Sequence, residues 1–225
     1  MTDKTKLIAE MKSVAEDLVS RTEELCQLDS FVGDGDHGIS IHKGFGKVLE
    51  YLGQLEDGTR KPEEAAANAG PVTEVFHTCA DAVLDSMGGA IGPIFASVFI
   101  GFEMASKGKE ALGLGDWKEC FTKALEVVTA TGEAKPGERT LVDTLYAAVQ
   151  AFDESKGSDA EQWTCIEQRA KEGMESTKNM QAKRGRARYL RERSVGYVDA
   201  GATTMYYFIR KLAEAERGGQ PAQNA

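Results

Sequence analysis

Residues 28–38 read Leu-Asp-Ser-Phe-Val-Gly-Asp-Gly-Asp-His-Gly, which places Asp29, Asp34 and Asp36 within one short, glycine-rich run. Glycine there allows a tight turn with positive φ. Carboxylates gathered in such a turn repel one another and hold their protons more tightly unless a cation neutralises them. Hard oxygen ligands of this type suit Mg²⁺ or Ca²⁺ rather than Zn²⁺. Gly33, Gly35 and Gly38 also satisfy G-x-G-x-x-G. A dinucleotide turn, however, follows a buried strand, and aspartates inside it would repel a pyrophosphate. An EF-hand begun at Asp34 would put Phe45 where its final Glu belongs. The chain contains no G-x-x-x-x-G-K-[ST], which excludes a P-loop. Two readings remain: a Mg²⁺ site on Asp29, Asp34 and Asp36 that recruits phosphate oxygens through the metal, and an ordinary acidic surface turn. His37 either donates a hydrogen bond to a phosphate or ribose, or caps the helix that follows. His42 and His77 read as surface or helix-face residues.

Three further loops carry groups of interest. Met87-Gly88-Gly89-Ala90-Ile91-Gly92-Pro93 closes one helix and opens another, either as an anion site of free N–H groups or as a tight helix–helix turn. The run from Thr131 through Gly132, Lys135, Pro136 and Gly137 to Thr140 is a connector, with Glu138 placed where an acid suits a helix start. Lys183, Arg184, Arg186, Arg188, Arg191 and Arg193 are opposed only by Glu192. Guanidinium forks of that density suit a nucleotide phosphate, an acidic partner or RNA, or they form a solvated basic loop. Asp199 is placed to cap the last helix.

The elements that must position these loops read as helical. Val72, Val75, Phe76, Cys79, Ala80, Val83, Leu84 and Met87 form one apolar stripe, and Trp117, Cys120, Phe121, Ala124, Leu125 and Val128 repeat it behind Asp116 as N-cap. Breaks at Gly and Pro predict helices near 5–27, 38–54, 71–87, 93–107, 116–131, 139–155, 159–179 and 200–217. No alternating run predicts a strand, and no linker divides the chain. The reading is one all-α domain over residues 1–217, with 218–225 a frayed tail.

Composition narrows the function. A chain of 225 residues with 41% hydrophobic and 28% charged residues has enough apolar material for a real core and is not disordered throughout. The net charge of −9 argues against nucleic acid as a general partner. No apolar run reaches the roughly 18 residues of a membrane span. Acidic residues inside the first apolar run argue against a secretory signal. Cys26, Cys79, Cys120 and Cys165 form no C-x-x-C pair, so the expectation is reduced core thiols in the cytoplasm.

Taken in order, these loops resemble subunit L of dihydroxyacetone kinase, equivalently the nucleotide-binding domain of the one-chain dihydroxyacetone kinases. The resemblance rests on Leu28-Asp29, Gly33 to Gly38, Gly44-Phe45, Gly88-Gly89-Ala90 and Gly92-Pro93. It continues through Lys135-Pro136-Gly137 with Thr140, Met180-Gln181-Ala182, Gly185-Arg186-Ala187, Tyr189-Leu190, Glu192-Arg193-Ser194 with Gly196, and Asp199 with Gly201-Ala202.

It implies an antiparallel barrel of eight α-helices with a nucleotide site in the loops at one end. By position, Asp29, Asp34 and Asp36 would hold two Mg²⁺ ions, and His37, Gly38, Ile39 and Ser40 would touch the nucleotide phosphates. Ala90, Ile91, Gly132, Leu141, Arg186, Val198, Asp199 and Ala200 would complete the pocket. The implied activity is phosphoryl transfer to an alcohol group, which asks the protein mainly for positioning and charge neutralisation. ADP would stay bound as a cofactor, be rephosphorylated by a phosphohistidine on subunit M, and pass phosphate to dihydroxyacetone held on subunit K. The alternatives are an ATP-dependent kinase subunit for dihydroxyacetone or a related ketose, and a non-catalytic nucleotide-sensing module. A homodimer is compatible with any of these. Against the family pattern, Ile91 stands for a Ser, Arg188 for a Ser, Arg191 for a Gly, Tyr197 for a His and Ala200 for a Pro.

Overall fold

The computed structural model describes residues 1–61 and 69–218; the expected tail lies outside these beyond Gly218. Among the described residues the chain forms nine α-helices: α1 (Lys4–Ser20), α2 (Thr22–Ser30), α3 (His37–Glu56), α4 (Pro71–Ser86), α5 (Ile91–Ser106), α6 (Leu114–Gly132), α7 (Leu141–Glu154), α8 (Asp159–Ser176) and α9 (Ala200–Glu216). Two 3₁₀ segments, Thr177–Asn179 and Arg186–Ser194, lie between α8 and α9. Among the described residues strand content is limited to β1 (Thr2–Asp3) paired antiparallel with β2 (Ala111–Leu112). The fold is all-α, and no described helix is long and apolar enough to cross a membrane.

The chain divides into two compact units, one of residues 1–20 and 40–133, the other of residues 21–39 and 134–225. In the first, α5 is buried on nearly every side, and its Phe102 packs 5.2 Å from both Phe76 of α4 and Phe121 of α6. Trp117, fully buried, stands 6.0 Å from the rings of Phe76 and Phe102. Rings buried this completely each stabilise the unit by about 1.5–3 kcal/mol through apolar area removed from water. In the second unit, α7, α8 and α9 bury Leu145, Phe152, Trp163, Ile166, Phe208 and Leu212.

Helix ends explain the differences from the expected boundaries. The first expected helix is split at Arg21 (φ −97°, ψ 14°), so α2 is separate and runs to Ser30. Asp29 therefore sits in the last turn of a helix and not in a free loop. Asp116 is not the N-cap of α6: it lies three residues into the helix and accepts the Gly113 N–H at 2.8 Å. Glu138 precedes α7, whose cap is Thr140 with Asp143 reaching back to the Thr140 N–H. Asp199 does cap α9, accepting from Ala202 N at 2.9 Å. Leu84, assigned to the α4 stripe, is 51% exposed. All four cysteines are free thiols.

Candidate functional site

The acidic run joins the end of α2 to the start of α3. The Asp29 carbonyl accepts the N–H groups of Val32 and Gly33 at 3.0 and 2.6 Å, closing the chain back on α2. Its carboxylate accepts Gly35 N at 2.8 Å. It also lies against Gly33, where any Cβ would stand 2.7 Å from Asp29 Cγ, so glycine at 33 leaves room for the carboxylate. Asp34 and Asp36 are exposed, and one oxygen from each of the three aspartates lies within 4.8 Å of the others. That spacing and all-oxygen donor set fit a hard divalent cation. The exposed Arg186 guanidinium pairs with Asp34 from the 3₁₀ segment.

His37, the first residue of α3, is buried, with Nε2 2.8 Å from Thr204 Oγ1. Thr204 has one hydroxyl proton, and it is donated to the Ala200 carbonyl at 3.0 Å. The pairing therefore calls for a protonated Nε2 on a neutral ring. Burial pushes the His37 pKa down to about 4, against the upward pull of Asp29, so the ring is uncharged at neutral pH. The ring is thus committed to α9 and does not cap α3. Gly38 follows because a Cβ there would stand 2.8 Å from Cys26 Sγ of α2. Ile39 is 49% exposed.

The turn before α9 belongs to the same unit. Arg139, absent from the sequence-based site, is 1% exposed and holds φ +62°. It donates from Nε and Nη2 to the Tyr197 carbonyl at 3.2 and 3.0 Å and from Nη2 to the Val198 carbonyl at 3.4 Å. Its Nη1 lies 3.8 Å from Asp199 Oδ1. Burial pushes the Asp199 carboxyl up to about 6, against the downward pull of Arg139. Asp199 N donates to Thr177 Oγ1 at 3.0 Å, and Phe31 stacks on Tyr197 with ring centroids 5.1 Å apart. Glu138 pairs with Arg184 at 3.0 Å, tying the start of the basic segment to the 132–140 loop.

The second unit thus gathers Asp29, Asp34, Asp36, His37, Gly38, Ile39, Leu141, Arg186, Val198, Asp199 and Ala200; Leu141 and Ala200 are buried in it. Ser40, Ala90, Ile91 and Gly132 belong to the first unit. There Ala90 precedes α5 as an exposed residue, Ile91 is the first residue of α5, and Gly132 is the last of α6. Nothing in a lone arginine announces a left-handed backbone, which is why the sequence did not single out Arg139. Thr177 and Thr204 were missed for a similar reason, since each acts on a residue remote in the chain.

The chain is 31% identical over 201 residues to the "PEP-dependent dihydroxyacetone kinase, ADP-binding subunit DhaL" of Escherichia coli K12, covering 88% of this chain and 90% of that protein. It is 32% identical over 208 residues to the L-erythrulose kinase of Pectobacterium atrosepticum, covering 88% of this chain but only 32% of the relative. Among solved structures, the dihydroxyacetone kinase of C. freundii in complex with AMP-PNP and Mg²⁺ superimposes with a TM-score of 0.68 at 19% identity, over 92% of this chain and 33% of that one. That likeness establishes a shared fold. Residues 31–214 match the DAK2 domain, from within the acidic run to the last helix, and the chain belongs to that family.

Proposed function

We propose that this chain is the nucleotide-carrying phosphoryl-transfer subunit of a phosphoenolpyruvate-dependent dihydroxyacetone kinase, working in the cytoplasm. Asp29, Asp34 and Asp36 would hold Mg²⁺, two ions by the family resemblance. When bound, the metal neutralises phosphate oxygens and aligns them for in-line transfer. ADP would be the resident nucleotide, with a phosphohistidine subunit M as donor and a subunit K holding the sugar. The observation that carries the reading is the convergence of three carboxylates within 4.8 Å beside Arg186.

The protein's own residues then have distinct tasks. The first N–H groups of α3, from His37 onward, have no partner within the helix and suit phosphate oxygens. Arg186 would offer a planar fork to the same oxygens, with Asp34 among the residues that would hold the metal. Val198, Asp199 and Ala200 supply a backbone wall, and Leu141 an apolar one. Ser40, Ala90, Ile91 and Gly132 enter as nucleotide contacts from the family resemblance alone. His37, neutral and bonded to Thr204, orients α9 against the start of α3 and is not placed as a base. Transfer of this kind needs little proton chemistry from the carrier.

Titration calorimetry tests the reading. ADP should bind in the presence of Mg²⁺ and lose that binding with EDTA or in Asp34→Asn and Asp36→Asn. Metal-independent binding, or none, overturns it. The similarity to L-erythrulose kinase favours a second reading, an ATP-exchanging subunit for a related ketose. ADP that survives gel filtration supports the first reading, and rapid exchange with ATP supports the second.

A further inference from the structure

Arg139 is the feature that the proposed mechanism leaves unused. A buried guanidinium normally has its donors matched. Here Nε and Nη2 are matched by the carbonyls of Tyr197 and Val198, while Nη1 is buried without a hydrogen-bond partner. The nearest acceptor of opposite charge, Asp199 Oδ1 at 3.8 Å, is beyond hydrogen-bond reach. The backbone adds a second observation. At φ +62° Arg139 occupies the left-handed region, which a side chain bearing Cβ adopts at a cost and which Gly would adopt freely. Something other than backbone preference keeps a charged side chain there, and the contacts show what it does. A single planar fork spans two successive carbonyls and faces the carboxylate that caps α9.

We infer that Arg139 is a positioning residue: its fork fixes where Tyr197, Val198 and Asp199 stand for the nucleotide, and its unmatched Nη1 completes a hydrogen bond to Asp199 when the nucleotide is bound. The inference rests on the proposed nucleotide site, since it assigns the turn at 198–200 a ligand. Lysine keeps the charge at 139 but is a point donor that cannot bridge two carbonyls and a carboxylate in one plane. Charge alone is therefore not sufficient, and geometry is what the residue contributes.

The test compares wild type with Arg139→Lys by calorimetry and thermal melting. In R139K the affinity for ADP with Mg²⁺ should fall about tenfold or more, the scale of a lost charge-assisted hydrogen bond. The rise in melting temperature on adding ADP should shrink in step. A purely structural role would lower the melting temperature and leave the affinity of the folded protein unchanged; that result, or wild-type affinity in R139K, overturns the inference. If R139K does not fold, ¹⁵N-arginine wild type decides. The Arg139 guanidinium signal must shift and exchange its protons more slowly on adding ADP and Mg²⁺, and an unchanged signal overturns the inference. Wild type that takes up no ADP instead defeats the underlying nucleotide reading, which separates the two failures.

Discussion

Arg186 and Asp34 pose a competition at the scale of single residues. The guanidinium neutralises one of the three carboxylates that would ligate Mg²⁺, so metal and arginine contend for Asp34. Arg186 is 68% exposed, so the pair is a weak one, of the order of 1 kcal/mol or less. Arg186→Ala should therefore tighten binding of Mg²⁺ alone by about two- to fivefold, by removing the competitor. The same substitution should weaken ADP by about tenfold, because a charge-assisted contact to phosphate is lost. Calorimetry with each ligand separately checks both signs; equal direction for the two would refute the exchange. The closeness of Asp29, Asp34 and Asp36 is legible in the sequence because the three are near neighbours along the chain and Gly33 leaves space for Asp29. Arg139 was not legible, because its partners lie 58 and 59 residues away and its conformation belongs to the assembled turn.

Among the elements, the 3₁₀ segment Arg186–Ser194 is the one whose form the sequence concealed. A basic run reads as a solvated loop or a contact surface, whereas here local side chains fold it. Ser194 Oγ donates to the Arg191 carbonyl at 2.6 Å and accepts the Ala182 N–H at 2.9 Å, tying the end of the segment to the chain just before it. The segment is interrupted at Arg191, whose φ of 52° and ψ of −124° belong to glycine territory. The family resemblance places a Gly at this position. Relief of strain of about 1–3 kcal/mol, less the roughly 0.5–1 kcal/mol entropic cost of a glycine, should make Arg191→Gly more stable by about 1 kcal/mol. A higher urea midpoint with an unchanged slope is the expected result; a lower midpoint would mean that the Arg191 side chain contributes more than its backbone costs. Helices were legible where periodicity and a cap agreed, as at Asp199. The break at Arg21 was not, because apolar spacing runs through it and only the backbone angles change.

For the whole molecule, the decisive question is where the phosphate acceptor sits. The chain covers 90% of the E. coli ADP-binding subunit, but only 32% of the L-erythrulose kinase and 33% of the C. freundii kinase. In the proposed division of labour the sugar is held by another polypeptide, and the residues assigned here all concern metal, phosphate or nucleotide. Positioning is most of what phosphoryl transfer requires, so a carrier without a held acceptor gains nothing from dissolved sugar. This chain with Mg²⁺, ATP and dihydroxyacetone should therefore form no sugar phosphate above the uncatalysed background. The same mixture with its sugar-carrying subunit, and with the phosphohistidine donor in place of ATP, should turn over. The Asp34→Asn protein, mixed with that subunit, should fall back to background, which ties turnover to the carboxylate cluster and excludes a contaminating kinase. Product from the chain alone would place an acceptor site within it and remove the need for a separate subunit.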